Sequence, residues 1–427
     1  MTSFSKLHKL QREVIFPVPA AAPETAATDA PRLLRRGPAP ELHQELLVQG
    51  QGTFIFKYLG DPTTDALAPL RVSLRTAEGH KVLQLEMDAT HTRLLIGERE
   101  AATSATGIVA DGYAYYWLSL DTINNQVRCG IGEARLETQL LAAALSPDER
   151  KSCQAATAVY YAPPVEPMRL LRDPIVTTVP LEVRGTDRLT MNDVALNRYL
   201  PQAALPAACR QLYDTIAGPL FELDADDFPE FSRAIKYSIE TEGCWCFEKL
   251  AEKQKKSSVQ HQVYLRITLG HNGGESPGIP FVMEIWPPQC FSSVHQHAGA
   301  NAVIRVLHGR IQVTMFPYLR PDATLPFGRR DFEQGAITWI SPLLNQVHRL
   351  RNTEPLGGKP CITIQCYQYD ADDAGHYPFF DYSKNDELHQ YEPDSDLDFV
   401  LFKEQMRTEW NNWQRPPFPA AIQPVVA

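Results

Sequence analysis

Two blocks of short runs with apolar residues at alternate positions constrain the fold of this chain more than any other feature. The first, from about 41 to 160, contains GTFIFKYLG, LRVSLRT, KVLQLEMD, TRLLIGE, AYYWLSLD and QVRCGIGE. Side chains on a strand alternate between its two faces, so each run offers one face to a core and one to water. Gly, Asp, Asn and Pro punctuate the runs, and the Asn124-Asn125 pair between YYWLSLD and QVRCGIG marks a hairpin turn. An antiparallel β-sandwich is expected over 41–160. The second block, from about 258 to 370, contains HQVYLRITLG, IPFVMEIWP, AVIRVLHGRIQVTMF, AITWISP and CITIQCYQYD. Its close spacing suits a small antiparallel β-barrel.

Residues 161–257 separate the blocks. They begin with a Pro-rich stretch, YAPPVEPMRLLRDP, expected to be a linker wrapping a surface. Helices are then expected over 203–217 and 227–255, packing against the barrel. FSRAIKYSIETEGCWCFEKLAEK repeats its apolar residues at helical spacing, with Gly243 weakening its middle. Residues 1–40 carry several Pro and Ala and are expected to form an irregular arm. A last helix, LDFVLFKEQMRTEWNNWQ, closes the barrel unit of 258–427. The expected fold is mainly β: an N-terminal sandwich, a helical linker and a C-terminal barrel.

Charge and composition exclude some functions. With 41 basic and 51 acidic side chains the net charge is −10, which argues against a nucleic-acid partner, since such a partner needs a basic face to displace counterions. No run approaches the roughly 20 apolar residues that cross a bilayer, so no membrane partner is expected. MTSFSKLHKLQREVIF lacks the apolar core and cleavage site of a secretory signal. Eight cysteines at irregular spacing form no disulfide framework, so reduced thiols and a cytoplasmic location are expected. Cys244 and Cys246 form a CxC pair without the second pair a metal finger needs, and are expected to be structural.

The chemistry concentrates in SSVHQHAGANAVIRVLHGRIQV. His295 and His297 are two apart, so on a strand they share a face and can grip one ion. Gly309 fits the turn before the next strand. About fifty residues on, in GAITWISPLLNQVHRLRN, His348 follows a turn at Ser341-Pro342 and begins another strand. This two-part histidine pattern resembles that of the cupin superfamily. Many cupins add a Glu shortly after the HxH. Here the residues from Ala298 to Ala302 include no carboxylate. Three neutral imidazoles would leave the full charge of a divalent metal available to an anionic ligand, and imidazole suits Fe, Zn, Cu and Ni alike.

From Tyr264 to Tyr367 the sequence resembles the cysteine dioxygenase family of thiol dioxygenases. Tyr264-Leu265-Arg266 is similar to the family's Tyr-x-Arg, whose Arg binds the substrate carboxylate. Trp286 matches a family Trp. Ser292-Ser293-Val294-His295-Gln296-His297 resembles the family's Ser-Ser-hydrophobic-His-x-His, and His348-Arg349 its third ligand and following Arg. Tyr367 aligns with the active-site Tyr when two residues at Gly357-Gly358 are counted as an insertion. The resemblance implies Fe(II) held by His295, His297 and His348. It implies a small carboxylate-bearing thiol, of the cysteine or 3-mercaptopropionate type, oxidised by O₂ to a sulfinate. It places Arg266, Tyr264 and Trp286 at the substrate, with Tyr367 donating a hydrogen bond. An aminothiol without a carboxylate is disfavoured if Arg266 points inward. In the first block, YYWLSLDTINNQVRCGIGE also resembles the farnesoic-acid-methyltransferase-like sandwich domain, over one hairpin and without catalytic residues.

Three features depart from the dioxygenase pattern. Ala302 stands where animal members carry the Cys that crosslinks to the Tyr. The family's Ser-x-His-x-Tyr relay is Thr363-Ile364-Gln365-Cys366-Tyr367 here, and Gln cannot shuttle a proton as His can. Roughly 250 residues precede the barrel. Two other classes therefore stay open: a metal-binding cupin with lyase or isomerase activity, and a non-catalytic small-molecule binding protein in which the sandwich supplies recognition.

Overall fold

The structure, a computed structural model, describes residues 41–60, 70–109, 114–162, 164–219, 221–269, 281–321, 325–369, 380–391 and 394–414. The arm expected over 1–40 lies outside them.

Eleven strands build the first unit: β1 (Leu42–Glu45), β2 (Gln51–Tyr58), β3 (Leu70–Thr76), β4 (Lys81–Met87), β5 (Thr92–Ile96), β6 (Arg99–Ser104), β7 (Tyr115–Asp121), β8 (Gln126–Ile131), β9 (Gln139–Ala144), β10 (Ala156–Tyr161) and β11 (Val165–Leu171). They form a six-stranded sheet in the order β1-β10-β3-β4-β5-β6 and a five-stranded sheet in the order β11-β2-β7-β8-β9. One core joins them: Phe54, Phe56, Tyr116 and Leu118 from the second sheet meet Val72, Leu83, Leu85 and Val159 from the first. Full burial of each such side chain contributes about 1.5–3 kcal/mol, which is the force that holds the sheets face to face. The Asn124-Asn125 turn joins β7 to β8 as expected, with Asn125 at φ 57° and the Asp121 carboxylate accepting from the Asn124 backbone and side chain. β11 lies in the stretch expected to be a linker. It pairs antiparallel with β2 instead, extending the sandwich to Leu171. Val165 alternates with polar neighbours weakly enough that Pro164 and Pro167 masked the strand.

The second unit contains β12 (Glu182–Arg184), β13 (Leu200–Pro201), β14 (Leu265–Leu269), β15 (Phe281–Trp286), β16 (Val294–Gln296), β17 (Asn301–His308), β18 (Arg310–Met315), β19 (Gly328–Glu333), β20 (Ile337–Ile340), β21 (His348–Arg351), β22 (Cys361–Gln368), β23 (Phe380–Lys384), β24 (Glu387–Tyr391) and β25 (Leu397–Asp398). One sheet runs β13-β12-β20-β17-β22-β15-β14-β25 and the other β19-β18-β21-β16-β23-β24. Between β15 and β23 the chain crosses repeatedly from one sheet to the other, which makes this region a cupin-like double-stranded β-helix. Trp286, Val306 and Cys361 of the larger sheet pack on Ile311, Val313, Met315 and Phe332 of the smaller. Gly309 makes the β17–β18 turn at φ 71°, and a Cβ there would lie 2.5 Å from the Pro360 carbonyl oxygen, so glycine is required on both counts.

Helices cover the outer face of the larger sheet. Ala207–Ile216 lays Cys209, Leu212 and Ile216 against Val303, Ile364 and Cys366. Phe231–Glu240, Trp245–Lys256 and Phe399–Gln414 pack together over Leu265, Ile267 and Ile285. The break between the first and second of these falls at Gly243, φ 84°. The fold is mainly β, as the two periodic blocks require.

Candidate metal centre

Two strands place the histidines: His295 lies in β16, His297 directly follows it, and His348 opens β21. β16 is short because it pairs with β21 at a single position, His295 opposite His348, and with β23 on its other side. The period of two turns His295 and His297 to the same face, and the pairing brings His348 beside them. All three are buried, at 7%, 3% and 5% exposure, and their ligand atoms lie within 4.8 Å of one another.

Hydrogen bonds orient two of the rings. His295 Nδ1 lies 3.0 Å from the Ser293 carbonyl oxygen and His348 Nδ1 3.2 Å from that of Asn345. Donation from Nδ1 leaves Nε2 with its lone pair free. His297 Nε2 and His348 Nε2 stand 3.3 Å apart. Two imidazole nitrogens converging at that separation repel unless a proton or cation lies between them. A metal about 2.0–2.1 Å from each nitrogen satisfies both. Burial holds all three rings neutral. It pushes His295 down to about 4 and His348 to about 3, and His297 well below the usual histidine range, where the neighbouring His295 and His348 add to the effect. Neutral imidazole is the ligand form, so the cluster fits a divalent metal without first losing protons.

A cavity of about 40 Å³ holds the histidines together with Tyr264, Glu284, Trp286, Gln365, Tyr367 and Phe380. Tyr264 stacks on Trp286 with ring centres 4.3 Å apart. Tyr367 stacks on His297 at 5.5 Å, and Phe380 covers the same imidazole edge-on at 4.4 Å. These rings leave room for little beyond a small molecule. A second cavity of about 310 Å³ shares Tyr264, Ser292, His295 and Tyr391 with the first and carries Lys253, Lys256 and Lys384. The Tyr264 and Tyr391 hydroxyls, 3.2 Å apart, stand between the two.

Of the residues expected at the substrate, Tyr264, Trp286 and Tyr367 line the inner cavity and Arg266 does not. The Arg266 guanidinium is buried but directed at Glu284, with Nη1 donating to Oε1 at 3.2 Å. The other Glu284 oxygen accepts from the Gln365 amide, whose carbonyl in turn accepts from the Tyr367 hydroxyl. Arg266, Glu284, Gln365 and Tyr367 thus form one buried chain ending beside His297. Burial raises the Glu284 carboxyl above the ordinary carboxylate range and outweighs the attraction of Arg266. It also raises the Tyr367 phenol, which Glu284 pushes further, so the phenol is a donor. Reading along the sequence missed Glu284. The signal was a single acid inside the apolar run FVMEIW, on a strand buried from Val282 to Trp286.

A second network reaches the centre from the sandwich. Gln346, two residues before His348, has its side-chain oxygen 3.3 Å from the backbone nitrogens of His297 and Gly299, and its amide donates to the Ala300 and Ser341 carbonyls. Glu133 and Arg135 of the sandwich hold Gln346 and Asn345 in turn.

No protein-family profile matches the chain. Solved structures match part of it. The cupin domain of an XRE-family transcriptional regulator from Enterobacter cloacae is 15% identical over 26% of this chain and 99% of its own, with a TM-score of 0.20. An uncharacterised conserved protein with a double-stranded β-helix domain from Klebsiella pneumoniae is 15% identical over 30% of this chain and 87% of its own, TM-score 0.20. An oxalate oxidase in complex with the substrate analogue glycolate is 14% identical, TM-score 0.20. The match covers 26% of this chain and about half, 53%, of the oxidase. On the strand topology and the buried histidines, the chain contains a cupin-like region whose three-histidine cluster can hold a metal ion.

Proposed function

We propose that the chain is an Fe(II)-dependent thiol dioxygenase that oxidises a small thiol to a sulfinate. The observation that carries this reading is three buried neutral imidazoles with no carboxylate among them, facing a small aromatic cavity beside a phenol donor. A bound ferrous ion would supply the positive charge that stabilises a thiolate and the electrons through which O₂ reacts. The reaction balances without a further reductant: sulfur loses four electrons, O₂ gains them, and both oxygen atoms end in the product.

The chain's own residues do the rest. Phe380, Tyr264 and Trp286 exclude water from the histidines, which strengthens electrostatic interactions inside the cavity. Tyr367 presents a hydroxyl that stays protonated. Gln365 holds that hydroxyl, and Glu284 holds Gln365, so the acid-base group that the phenol's hydrogen-bond chain leads to is a carboxyl rather than an imidazole. Arg266 in this reading receives a substrate carboxylate only when Glu284 gives up the guanidinium. The observed Arg266–Glu284 pair leaves no free cation for a substrate carboxylate, so it favours a second substrate class, thiols without one, such as an aminothiol.

The test is anaerobic Fe(II) loading followed by O₂ uptake with cysteine, 3-mercaptopropionate and 2-aminoethanethiol, beside a His297→Ala control. Stoichiometric sulfinate from one of the thiols, and none from the control, is expected. Removing one of three ligands should cost metal affinity more than the roughly 10–100-fold typical of an outer partner. Iron binding without thiol-driven O₂ uptake would overturn the dioxygenase reading in favour of a lyase, an isomerase or a binding protein.

A further inference from the structure

We infer that the Glu133–Glu137 turn of the sandwich is a strut that sets the two ligand-bearing segments of the barrel, making Glu133 and Arg135 positioning residues of the three-histidine centre. The inference rests on the histidines being metal ligands.

The turn leaves β8 and enters the other unit rather than water. Glu133 is 2% and Arg135 1% exposed. A charge so buried is retained only where it is paired and hydrogen-bonded. Arg135 spends its donors in four directions: Nη1 to Glu133 at 3.2 Å and to the Asn345 side-chain oxygen at 2.9 Å, Nη2 to the Val179 carbonyl at 2.7 Å, and Nε to Glu137 at 3.2 Å. The second Glu133 oxygen accepts from the Gln346 backbone nitrogen at 2.9 Å. The sandwich therefore grips two consecutive residues of the loop that ends in His348.

Those two residues are the ones that orient the ligands. The Asn345 carbonyl faces His348 Nδ1, and Asn345 itself sits at φ 64°, in the left-handed region that Asn adopts more readily than most residues. The Gln346 side chain braces the backbone from His297 to Ala300. One contact thus reaches His348 and His297 together. The approach is close along the whole turn. A Cβ on Gly132 would lie 2.4 Å from the Pro317 carbonyl oxygen, Ala134 shares a cluster with Leu343, and the Arg135 guanidinium lies 4.8 Å from the centre of the Phe327 ring. The sandwich is then part of the metal centre's support and not a separately hung recognition module.

The experiment uses the full chain and Co(II), whose visible spectrum reports the geometry of its ligands. Glu133→Ala is expected to lower Co(II) affinity about 10–100-fold, the usual effect of removing an outer partner, and to alter the spectrum. Glu133→Gln, which still accepts from Gln346, should recover most of both. Wild-type affinity and spectrum in a folded Glu133→Ala chain overturn the inference. If that variant does not fold, hydrogen exchange of the unaltered chain decides. Coupling between sites is reciprocal, so Zn(II) must slow exchange at residues 132–138 as well as 345–348. Unchanged rates at 132–138 overturn the strut. An unaltered chain that binds neither ion overturns the metal reading itself, which separates the two failures.

Discussion

Arg266 and Glu284 stand directly opposite each other across the β14–β15 ladder and form an ion pair at 3.2 Å with side chains 8% and 5% exposed. The pair neutralises the one cation that the dioxygenase resemblance assigns to substrate, so it sits at the junction between stability and specificity.

Breaking such a pair from one side leaves a buried charge with no counterion, which costs about 3–5 kcal/mol. Arg266→Met should lower stability by that amount. Arg266→Met combined with Glu284→Leu should recover most of the loss, because replacing a whole buried pair with apolar residues is often neutral. Urea unfolding of the single and double variants measures the coupling, and strictly additive losses would refute it. Glu284→Gln should shift the thiol preference toward carboxylate-bearing substrates, read as a ratio of kcat/KM values.

Acid should destabilise the metal-free chain in a defined window. Burial lowers the folded-state values of His295 to about 4 and His348 to about 3, from 6.5. Below 6.5 the unfolded chain takes up protons that the folded chain refuses. Stability is therefore fully present above about 6.5 and falls as pH drops toward 4. Urea midpoints of the metal-free chain between pH 7 and 4.5 should decline, and His348→Gln should make the decline shallower. An equal slope in the variant would remove His348 from the account.

Seven of the eight cysteines are buried and Cys244 is half-buried. Burial pushes the Cys129, Cys153 and Cys366 thiols up to about 12 and Cys290 to about 11, so they are protonated and shielded from reagents. A disulfide-exchange reagent at pH 8 should titrate one thiol quickly in the folded chain, and Cys244→Ser should abolish that phase. A fast phase that survives the substitution would place a reactive thiol elsewhere.

Much of the fold was legible along the chain because its signals are local. Alternation predicted β2 to β5, β7 and β8 of the first unit and β14, β15, β17, β18, β20 and β22 of the second, while strands such as β10, β19, β23 and β24 lie outside the predicted runs. Asn124-Asn125 and Gly309 predicted turns that the structure makes with φ of 57° at Asn125 and 71° at Gly309. The spacing of His295 and His297 turned both to one side, His295 in β16 and His297 one residue past its end, and His348 meets them there. The edge strand β11 escaped notice because Pro164 and Pro167 carry the signal of a loop, although an edge strand tolerates proline where no ladder donor is needed.

By itself the sequence determined which residues could be ligands and which runs could be strands, since periodicity and backbone preference act over a few neighbouring residues. Only the tertiary structure decided which charges meet. Arg266 faces Glu284 because of the β14–β15 register, and Arg135 reaches Asn345 across 210 residues of chain. Desolvation makes each such meeting costly unless it is complete. The partner of a buried charge is therefore chosen by the packing of the whole molecule and has no mark in the local sequence.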